Sequence, residues 1–557
     1  MFYYTNRRHF LRSVFGGAAV LSISGCKGGL TSDILGSSKK KPNIIFVLAD
    51  DLGYGDLGCY GQQKIQTPNI DRMAAEGMRF TDAYSGSTVC APSRCSLMTG
   101  LHTGHTYVRG NREIQPMGQL PLLPDTMTIP RLLKKAGYTT ALCGKWGLGG
   151  PGSTGVPNKQ GFDYFFGYLC QRHAHNYYPE FLFRNEEKVP LVGNKVGLAP
   201  GAEPRADGAG VAIERAQYSH DLIAAEALQF IRKNHALSVV EGKDRPFFLY
   251  LAVTLPHANN EAGKNGMEVP DYGAYANRNW PDPQKGHAAM ISRLDRDLGR
   301  VIETLKKLAI DDHTLIIFTS DNGPHREGGA DPDFFDSNGP LRGCKRDLYE
   351  GGIRVPLIAR WPGQIKAGTV SHHVCAFWDF MPTFAELVGI NETAPTDGLS
   401  ILPTLLRQPD KQKQHEFLYW EFHEQGSKQA VRMGDWKAVR FGAEGKLELY
   451  NLKDDIGETR DLAAQNPEIV AKVEDYLKTA RSKSQFWEIA QAFGSRPCFG
   501  QGALVECEAA TMNEQQKLHG DTHERTAADR VGLEESSILW TRQRAHFTES
   551  VERVDRS

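Results

Sequence analysis

Four nearly unbroken apolar runs mark the N-terminal part of the chain, and each leads directly into polar residues. The runs cover residues 42–49, 138–143, 246–253 and 314–319. Strands covered on both faces of a parallel sheet have this unbroken pattern, whereas half-exposed strands alternate apolar and polar residues. The pattern therefore predicts four buried strands of one mainly parallel sheet.

Helical patterns lie between these runs, at residues 126–135, 219–233 and 287–308. Alternation of strand and helix indicates a large α/β domain in which helices flank the sheet. Ligands of such domains bind beyond the carboxyl ends of the strands. The polar residues that follow the four runs are therefore expected to meet in one cleft.

The polar residues beyond the runs include a candidate metal site. Asp50 and Asp51 follow the first run, and Asp321 and Asn322 follow the fourth. Their oxygen donors suit Ca²⁺ or Mg²⁺ rather than Zn²⁺, and calcium tolerates a mixed carboxylate and amide set better than octahedral magnesium. Either pair alone is equally consistent with a solvated turn or a helix cap. Two pairs at two strand ends predict a calcium site, with magnesium the second choice.

A candidate nucleophile stands at Cys90, in the segment Thr-Val-Cys-Ala-Pro-Ser-Arg-Cys-Ser-Leu-Met-Thr-Gly of residues 88–100. Pro92 suits the first turn of a helix. A helix starting here places Cys90 at its positive end and Arg94 one turn later on the same face, where both could face an oxyanion. A lone cysteine is more often an inert core thiol, so the rest of the chain has to decide.

The same segment resembles the signature of the formylglycine-dependent sulfatases, and supporting motifs extend over about residues 42–488. The resemblance implies that Cys90 is oxidised to formylglycine (3-oxoalanine) by a formylglycine-generating enzyme or an anaerobic sulfatase-maturating enzyme. The hydrated aldehyde would then be the nucleophile, with Asp321 placed to accept its proton and Arg94 ordering its loop. The resemblance also implies an alkaline-phosphatase-like fold and assigns the calcium ligands to Asp50, Asp51, Asp321 and Asn322. It assigns contacts with the sulfate or the leaving group to Lys145, His257 and Lys345.

One position departs from the sulfatase pattern. The family motif Gly-Lys-Trp-His-Leu-Gly reads Gly-Lys-Trp-Gly-Leu-Gly at residues 144–149, so Gly147 replaces a histidine that contacts the nucleophile or the sulfate. We hypothesise that His175 or His173 takes the missing role. The alternative is that both histidines only bind substrate or pack on the surface.

The function that the resemblance implies is hydrolysis of sulfate esters, arylsulfatase-like and directed at sulfated carbohydrate or an aryl sulfate. A phosphatase or phosphonate monoester hydrolase of the same superfamily is the alternative, kept open by His325. Asn322 favours sulfate chemistry, because the phosphatases of the group typically have a histidine beside the aspartate. A non-catalytic binding protein is a third possibility.

The N-terminal sequence predicts an export signal. Arg7 and Arg8 form a twin-arginine pattern, residues 14–23 form a short apolar run, and Cys26 ends a lipobox-like sequence. The run is too short to span a bilayer. We expect an exported bacterial protein, periplasmic or held at the cell-envelope membrane by a lipid on Cys26. An ordinary signal with a chance cysteine is the alternative.

The sequence also gives the net charge and predicts the domain organisation. The 65 basic and 66 acidic residues give a net charge of −1, which provides no electrostatic case for nucleic-acid binding. We expect a signal at residues 1–26, a tether at 27–41 and a catalytic domain at 42–408. Residues 409–488 should form a smaller subdomain, an antiparallel sheet with one helix. Residues 489–557 match nothing in the family, and we expect a poorly ordered or atypical extension.

Overall fold

The computed structural model describes residues 40–197, 205–391, 394–424 and 426–489. The chain divides into two units, residues 1–493 and 494–557, and every described residue belongs to the first. The twin-arginine pattern, Cys26, most of the tether and all residues beyond 489 lie outside the described ranges. The predictions made for them remain predictions.

Strands and helices are interspersed along the described residues. The strands are β1 (Asn43–Ala49), β2 (Met78–Phe80), β3 (Ala83–Tyr84), β4 (Thr139–Lys145), β5 (Tyr164–Tyr168), β6 (Phe181–Arg184), β7 (Glu187–Pro190), β8 (Lys195–Val196), β9 (Ala212–Glu214), β10 (Phe247–Ala252), β11 (Thr314–Ser320), β12 (Leu357–Arg360), β13 (Thr369–Ser371), β14 (Cys375–Ala376), β15 (Leu418–Phe422), β16 (Lys428–Met433), β17 (Trp436–Phe441) and β18 (Leu447–Asn451). The helices are α1 (Pro68–Ala75), α2 (Cys90–Thr99), α3 (Ile129–Lys135), α4 (Ser219–Glu241), α5 (Asp282–Lys307), α6 (Pro332–Phe335), α7 (Glu350–Ile353), α8 (Phe380–Val388), α9 (Leu402–Leu405) and α10 (Pro467–Thr479).

A large mixed sheet forms the centre of the molecule, with strand order β13-β2-β12-β11-β1-β10-β4-β5-β6-β7. The block β11-β1-β10-β4-β5 is parallel throughout, and antiparallel pairs flank it on both sides. The four apolar runs are the neighbouring strands β1, β4, β10 and β11 of that block. The predicted mainly parallel sheet with flanking helices is confirmed.

The central strands are unbroken apolar runs because both faces of the sheet are covered. Ile44, Phe46 and Leu48 of β1 pack into one hydrophobic layer. Ile45 and Val47 of the same strand point into the opposite layer, which contains side chains of α4 and α5. Alternate side chains of a strand point to opposite faces, so a strand buried on both sides needs apolar residues at every position.

A separate antiparallel sheet, β15-β16-β17-β18, lies beyond residue 417, with α10 packed against it. Tyr419, Val431 and Leu449 of the sheet pack with Val473 and Leu477 of α10. The predicted small antiparallel sheet with one helix is confirmed.

Buried charges connect the small sheet to the segment that follows Lys345. Lys437 of β17 donates from Nζ to a carboxylate oxygen of Glu350 in α7 at 2.9 Å, and its Nζ lies 3.4 Å from Glu458 Oε1. Glu458 in turn accepts the Glu350 backbone N–H at 2.7 Å, and Arg354 donates to Glu350 at 3.1 Å. These side chains are buried, and burying charges is tolerated only when they are paired. The start of α7 therefore depends on the small sheet.

Two further properties of the described ranges concern membrane-spanning helices and disulfide bonds. Within the ranges that the structure describes, no helix combines the length and the apolar character that a membrane span requires. The cysteines in the same ranges are free thiols.

Candidate active site

The carboxyl ends of four neighbouring strands bring the predicted residues together. Asp50 follows β1, Lys145 ends β4, His257 lies shortly beyond β10, and Asp321 follows β11. In the ladder Ala49 pairs with Ser320, and Leu48 pairs with Ala252. Because these strands are parallel and in register, their ends meet at one edge of the sheet, where ligand sites of such sheets form.

Cys90 lies at the start of α2, facing the ends of β1 and β4. Its Sγ is 3.4 Å from Asp50 Oδ1 and 3.3 Å from Lys145 Nζ, and its side chain is buried. Burial and the adjacent Asp50 carboxylate raise the pKa of the Cys90 thiol well above its ordinary value. A thiol attacks only as its thiolate, so residue 90 in its unmodified form is a poor nucleophile at neutral pH.

Arg94 lies one turn along α2 and is fully buried. It donates from Nε and Nη2 to Asp321 Oδ2 at 3.1 and 2.8 Å, and from Nη1 to the Lys145 carbonyl at 2.7 Å. Its Nη2 also lies 3.4 Å from Asp50 Oδ2. The guanidinium thus connects the ends of β1, β4 and β11 and fixes them relative to α2.

The four predicted metal ligands form one cluster. Asp51 is in a left-handed conformation, with φ 65°; its N–H donates to Asp321 Oδ1 at 3.2 Å, and its Oδ1 accepts from Asn322 Nδ2 at 2.7 Å. Asn322 Nδ2 also donates to the Gly323 carbonyl at 2.9 Å, and these two acceptors fix the orientation of the amide. Asn322 Oδ1 is buried and has no hydrogen-bond partner among the described residues.

This donor set fits a calcium ion. An unpaired buried amide oxygen is rare and needs an explanation. Here it belongs to an amide whose nitrogen donates to Asp51, in a cluster of carboxylates that supply hard oxygen donors. Burial and the neighbouring Asp50 carboxylate raise the pKa of Asp321 to about 7. A cation at this point would relieve that repulsion and accept the free amide oxygen.

Lys145 and Asp50 form a buried ion pair in this cluster, with Nζ to Oδ2 at 2.7 Å. Burial favours the neutral forms, but the surrounding opposite charges together outweigh that effect on each group. The pKa of Asp50 is therefore lowered, with Lys145 the first of the groups that lower it, and the pKa of Lys145 is raised by Asp50. Both groups stay charged, and Lys145 is a fixed cation next to residue 90.

Lys345 and His257 form the other side of the site. Lys345 Nζ lies 2.9 Å from Asp51 Oδ2 and 3.0 Å from His257 Nε2. His257 Nδ1 donates to the Ala258 carbonyl at 2.7 Å, which leaves Nε2 as the acceptor that faces Lys345. Burial and then the Lys345 charge lower the pKa of His257 well below its ordinary value, so the ring is neutral.

Sequence reasoning missed two charged residues of this half of the site. Glu327 Oε2 accepts from Lys345 Nζ at 3.0 Å, and Glu327 Oε1 accepts from Arg346 Nη1 at 2.5 Å. Glu327 follows Asp321 by six residues in a polar loop, where a glutamate ordinarily faces solvent. Its only sequence signal is its distance from Asp321, which is too weak to identify a partly buried partner of Lys345.

The two histidines proposed to replace the residue missing at 147 lie in different surroundings. The His175 ring stacks on His257, with centroids 4.8 Å apart, and its Nδ1 is 3.1 Å from Glu261 Oε2. His173 is buried between the rings of Tyr168 and Phe181, at centroid distances of 4.9 and 4.6 Å. His175 therefore reaches the predicted site, whereas His173 packs in an aromatic layer.

His325, which kept the phosphatase alternative open, is occupied by backbone groups. Its Nδ1 accepts from the Glu327 N–H at 3.0 Å, and its Nε2 is 3.1 Å from the Pro256 carbonyl. Although its ring lies near Asp51 and Glu327, a ring with both nitrogens used in this way offers no lone pair to a metal. His325 therefore does not supply the nitrogen ligand that softer metals prefer.

Two family profiles match the chain. The profile of the sulfatases matches residues 42–390, and the profile of the C-terminal region of N-sulphoglucosamine sulphohydrolase matches residues 343–483. The two matches overlap in the segment that carries Lys345 and α7.

Curated relatives of the chain are also named as sulfatases. The N-acetylgalactosamine-6-O-sulfatase of Bacteroides thetaiotaomicron is 30% identical over 535 residues, which cover 83% of this chain and 97% of that protein. The N-acetylgalactosamine-6-sulfatase of Rattus norvegicus is 35% identical over 384 residues, and the match covers 66% of each chain. The chain thus spans about two thirds of the length of the rat relative. Arylsulfatase A of Homo sapiens is 34% identical over 411 residues, covering 72% of this chain and 75% of that protein.

Solved structures have the same architecture. The crystal structure of Ps i-CgsB in complex with k-i-k-neocarrahexaose matches with a TM-score of 0.65 and 29% identity, covering 86% of this chain and all of that one. The phosphonate monoester hydrolase of Agrobacterium radiobacter matches with a TM-score of 0.53 at 20% identity, with 79% and 95% covered. The latter is a likeness of fold alone.

Proposed function

This chain belongs to the sulfatase family of sulfuric ester hydrolases, and we propose that it removes sulfate from sulfated carbohydrate with formylglycine at position 90 and a calcium ion. The observation that carries the proposal is the position of Cys90. Its side chain is buried at the start of α2 between Asp50 and Lys145. The amide of Asn322, which donates to the adjacent Asp51, has an oxygen with no partner among the described residues. The raised pKa of the thiol argues that the reacting group at this position is not a cysteine thiolate.

Formylglycine and calcium would supply different chemistry. Formylglycine in its hydrated form carries two hydroxyl groups, one to attack sulfur and one to expel the sulfate afterwards. A calcium ion held by Asp50, Asp51, Asp321 and Asn322 would neutralise the carboxylates and attract a sulfate oxygen. The proposal assigns both groups to the edge of the sheet at which β1 and β11 end.

The basic side chains of the site would act on the charge of the sulfate. Lys145 forms an ion pair with Asp50, and Lys345 forms one with Asp51. Fixed cations that face developing negative charge stabilise a transition state without reorganising. Lys145 would bind the sulfate oxygens close to residue 90, and Arg94 would position Asp321 rather than touch the substrate.

The leaving alcohol needs a proton, and the structure offers a source for it. Lys345 Nζ carries donor protons and lies 3.0 Å from the acceptor nitrogen of His257. In this arrangement Lys345 holds the proton, and His257 Nε2 is the partner that can receive it or return it. We assign to Asp321, whose carboxylate Arg94 holds in place, the acceptance of a proton from the hydrate hydroxyl.

The substrate class is the less constrained part of the proposal. Relatives named for N-acetylgalactosamine 6-sulfate and a structural neighbour solved with a neocarrahexaose support a sulfated glycan. We also propose export by the twin-arginine signal and lipid attachment at Cys26, which places the enzyme where polymeric glycans are accessible. Because Cys90 is buried in the folded chain, the maturating enzyme would act before folding is complete.

Peptide mass spectrometry combined with a turnover panel tests the proposal. The peptide that contains Cys90 should show replacement of sulfur and two hydrogens by one oxygen, and the protein should release sulfate from an aryl sulfate and from N-acetylgalactosamine 6-sulfate. Cys90→Ala should abolish turnover, while Cys95→Ala, on the same helix, keeps it. Unmodified Cys90 in protein made together with a maturating enzyme, or turnover of phosphonate or phosphate esters only, would overturn the proposal.

A further inference from the structure

The carboxamide of Gln171 fills the space in front of Gly147. A Cβ placed on Gly147 would lie 1.9 Å from Gln171 Nε2 and 2.7 Å from its Cδ. Gly147 has φ 80°, a conformation that favours glycine. The backbone at residue 147 and the side chain of residue 171 therefore fit each other, and a side chain at 147 would displace the amide.

This amide is buried without a hydrogen-bond partner. Gln171 is 6% exposed, and neither its Nε2 nor its Oε1 is hydrogen-bonded to any described residue. Most buried side-chain amides are satisfied, and an unpaired one destabilises the fold unless something else compensates. The protein thus keeps a donor and an acceptor that no described residue uses.

The backbone holds this side chain next to the proposed sulfate site. The Gln171 N–H donates to Gln119 Oε1 at 2.8 Å, and the Gly147 N–H donates to the Leu169 carbonyl at 3.1 Å. Gly147 is two residues beyond Lys145, whose Nζ contacts Cys90. The unused amide therefore lies against the same short loop that carries a cation of the site.

We propose that Gln171 replaces the side chain missing at position 147 and donates a hydrogen bond from Nε2 to an oxygen of the bound sulfate group. This inference rests on the proposed function, since it needs a sulfate ester in the site. A neutral amide donor binds an oxyanion without adding a titrating group, whereas a histidine at 147 would add one. Gln171 is thereby a substrate-binding residue that the motif at residues 144–149 does not reveal.

His175 is less well placed for this role. Its Nδ1 already faces Glu261, and its ring lies face to face with His257 at an interplanar angle of 14°. A stacked ring presents its face, rather than a nitrogen, to its neighbour. By contrast, the side-chain N–H groups and the carbonyl oxygen of Gln171 have no partner among the described residues.

Three variants test the inference against wild-type turnover of an aryl sulfate. Gln171→Leu keeps the approximate volume but removes the donor, and Gln160→Leu is the control, since Gln160 is buried but donates to the Leu123 and Thr154 carbonyls. We expect Gln171→Leu to lower kcat/KM about tenfold or more, to raise the inhibition constant of inorganic sulfate, and to leave Tm unchanged or higher. Gln160→Leu should lower Tm and change kcat/KM little. His175→Ala is the third variant and should affect kcat/KM less than Gln171→Leu.

The outcomes separate this inference from the proposed function. A wild-type protein with formylglycine at position 90 that hydrolyses no sulfate ester contradicts the proposed function, and the inference falls with it. Normal wild-type turnover with unchanged kcat/KM and sulfate inhibition in Gln171→Leu overturns the inference alone. A fall in Tm in Gln171→Leu with no change in sulfate inhibition assigns Gln171 a structural role and also overturns it.

Discussion

Arg94 and Asp321 are 227 residues apart in the sequence, and Arg94 donates two hydrogen bonds to the same carboxylate oxygen of Asp321. The pair joins the helix that begins with the proposed nucleophile to a strand end that carries proposed metal ligands. Both side chains are fully buried, so neither is screened by solvent. This guanidinium therefore helps to fix the geometry between residue 90 and the proposed metal site.

Replacing that guanidinium by an ammonium tests this dependence. Arg94→Lys keeps the charge, but a lysine cannot reach both Asp321 and the Lys145 carbonyl in the planar arrangement of arginine. We expect the free energy of unfolding to fall by about 2–3 kcal/mol and kcat to fall by about 100-fold from misplacement of the reacting groups. Chemical denaturation and aryl sulfate turnover measure the two effects. Arg326→Lys is the control, because the Arg326–Asp333 pair is exposed and should contribute little.

Asn322 should determine metal affinity through its free amide oxygen. Asn322→Ala removes one oxygen ligand, and we expect the calcium dissociation constant to rise about 10- to 100-fold. The rise of Tm with added calcium measures the change, since a ligand that binds the folded state stabilises it by an amount that increases with the logarithm of its affinity. Asn277→Ala, at an exposed position, should keep the wild-type response. Equal calcium responses in both variants would exclude Asn322 as a ligand.

Glu327 should tune the proton on Lys345. Burial favours neutral Lys345, but Asp51 and Glu327 outweigh it and hold the pKa of Lys345 above its ordinary value. Glu327→Gln removes one of these charges, so the pKa of Lys345 should fall and the alkaline limb of kcat should move to lower pH. A pH profile of turnover measures the shift. Glu424→Gln is the matched control because Glu424 contacts Arg346 rather than Lys345, and an unmoved alkaline limb in Glu327→Gln would contradict the role.

His173 should make the fold sensitive to acid. Burial lowers the pKa of His173 to about 3, whereas an unfolded histidine titrates near 6.5. Between these values only the unfolded chain binds the proton, so stability falls as pH falls below about 6.5, by about 1.4 kcal/mol per pH unit. Between pH 7 and pH 5, we expect the free energy of unfolding of His173→Leu to fall by about 2 kcal/mol less than that of the wild type. Urea denaturation at both pH values measures this, and His235→Leu, on the partly exposed face of α4, should follow wild type.

The sequence predicted the large sheet well because burial on both faces leaves a strong local signal. Each apolar run became a strand within two residues of the predicted bounds, and the helix predicted from Pro92 begins at Cys90. The polar residues after the runs met because parallel neighbours in register end at the same edge. These outcomes depend on short-range patterns together with one general rule about α/β sheets.

The contacts that sequence did not predict come from side chains that look ordinary locally. Glu327 and Gln171 belong to residue types that usually face solvent, and no periodic pattern marks either as buried. Their roles follow from their contacts. Glu327 accepts a hydrogen bond from Lys345, and the amide of Gln171 lies against the backbone of Gly147. Such pairings join segments that are remote in sequence or separated by a turn, so only the folded chain reveals them.

The buried bonds of Lys437 with Glu350 and Glu458 bear on how this enzyme can be divided. The stretch matched by the sulfatase profile ends at residue 390, yet α7, which follows Lys345, is held by a lysine of the small sheet. A fragment cut near residue 400 would keep every proposed ligand and the Arg354 bond to Glu350, but it would lose the Lys437 charge that Glu350 also pairs with. Shortened or chimeric enzymes must therefore carry residues 343–483 as one inherited block, and the two sheets should melt as a single cooperative unit.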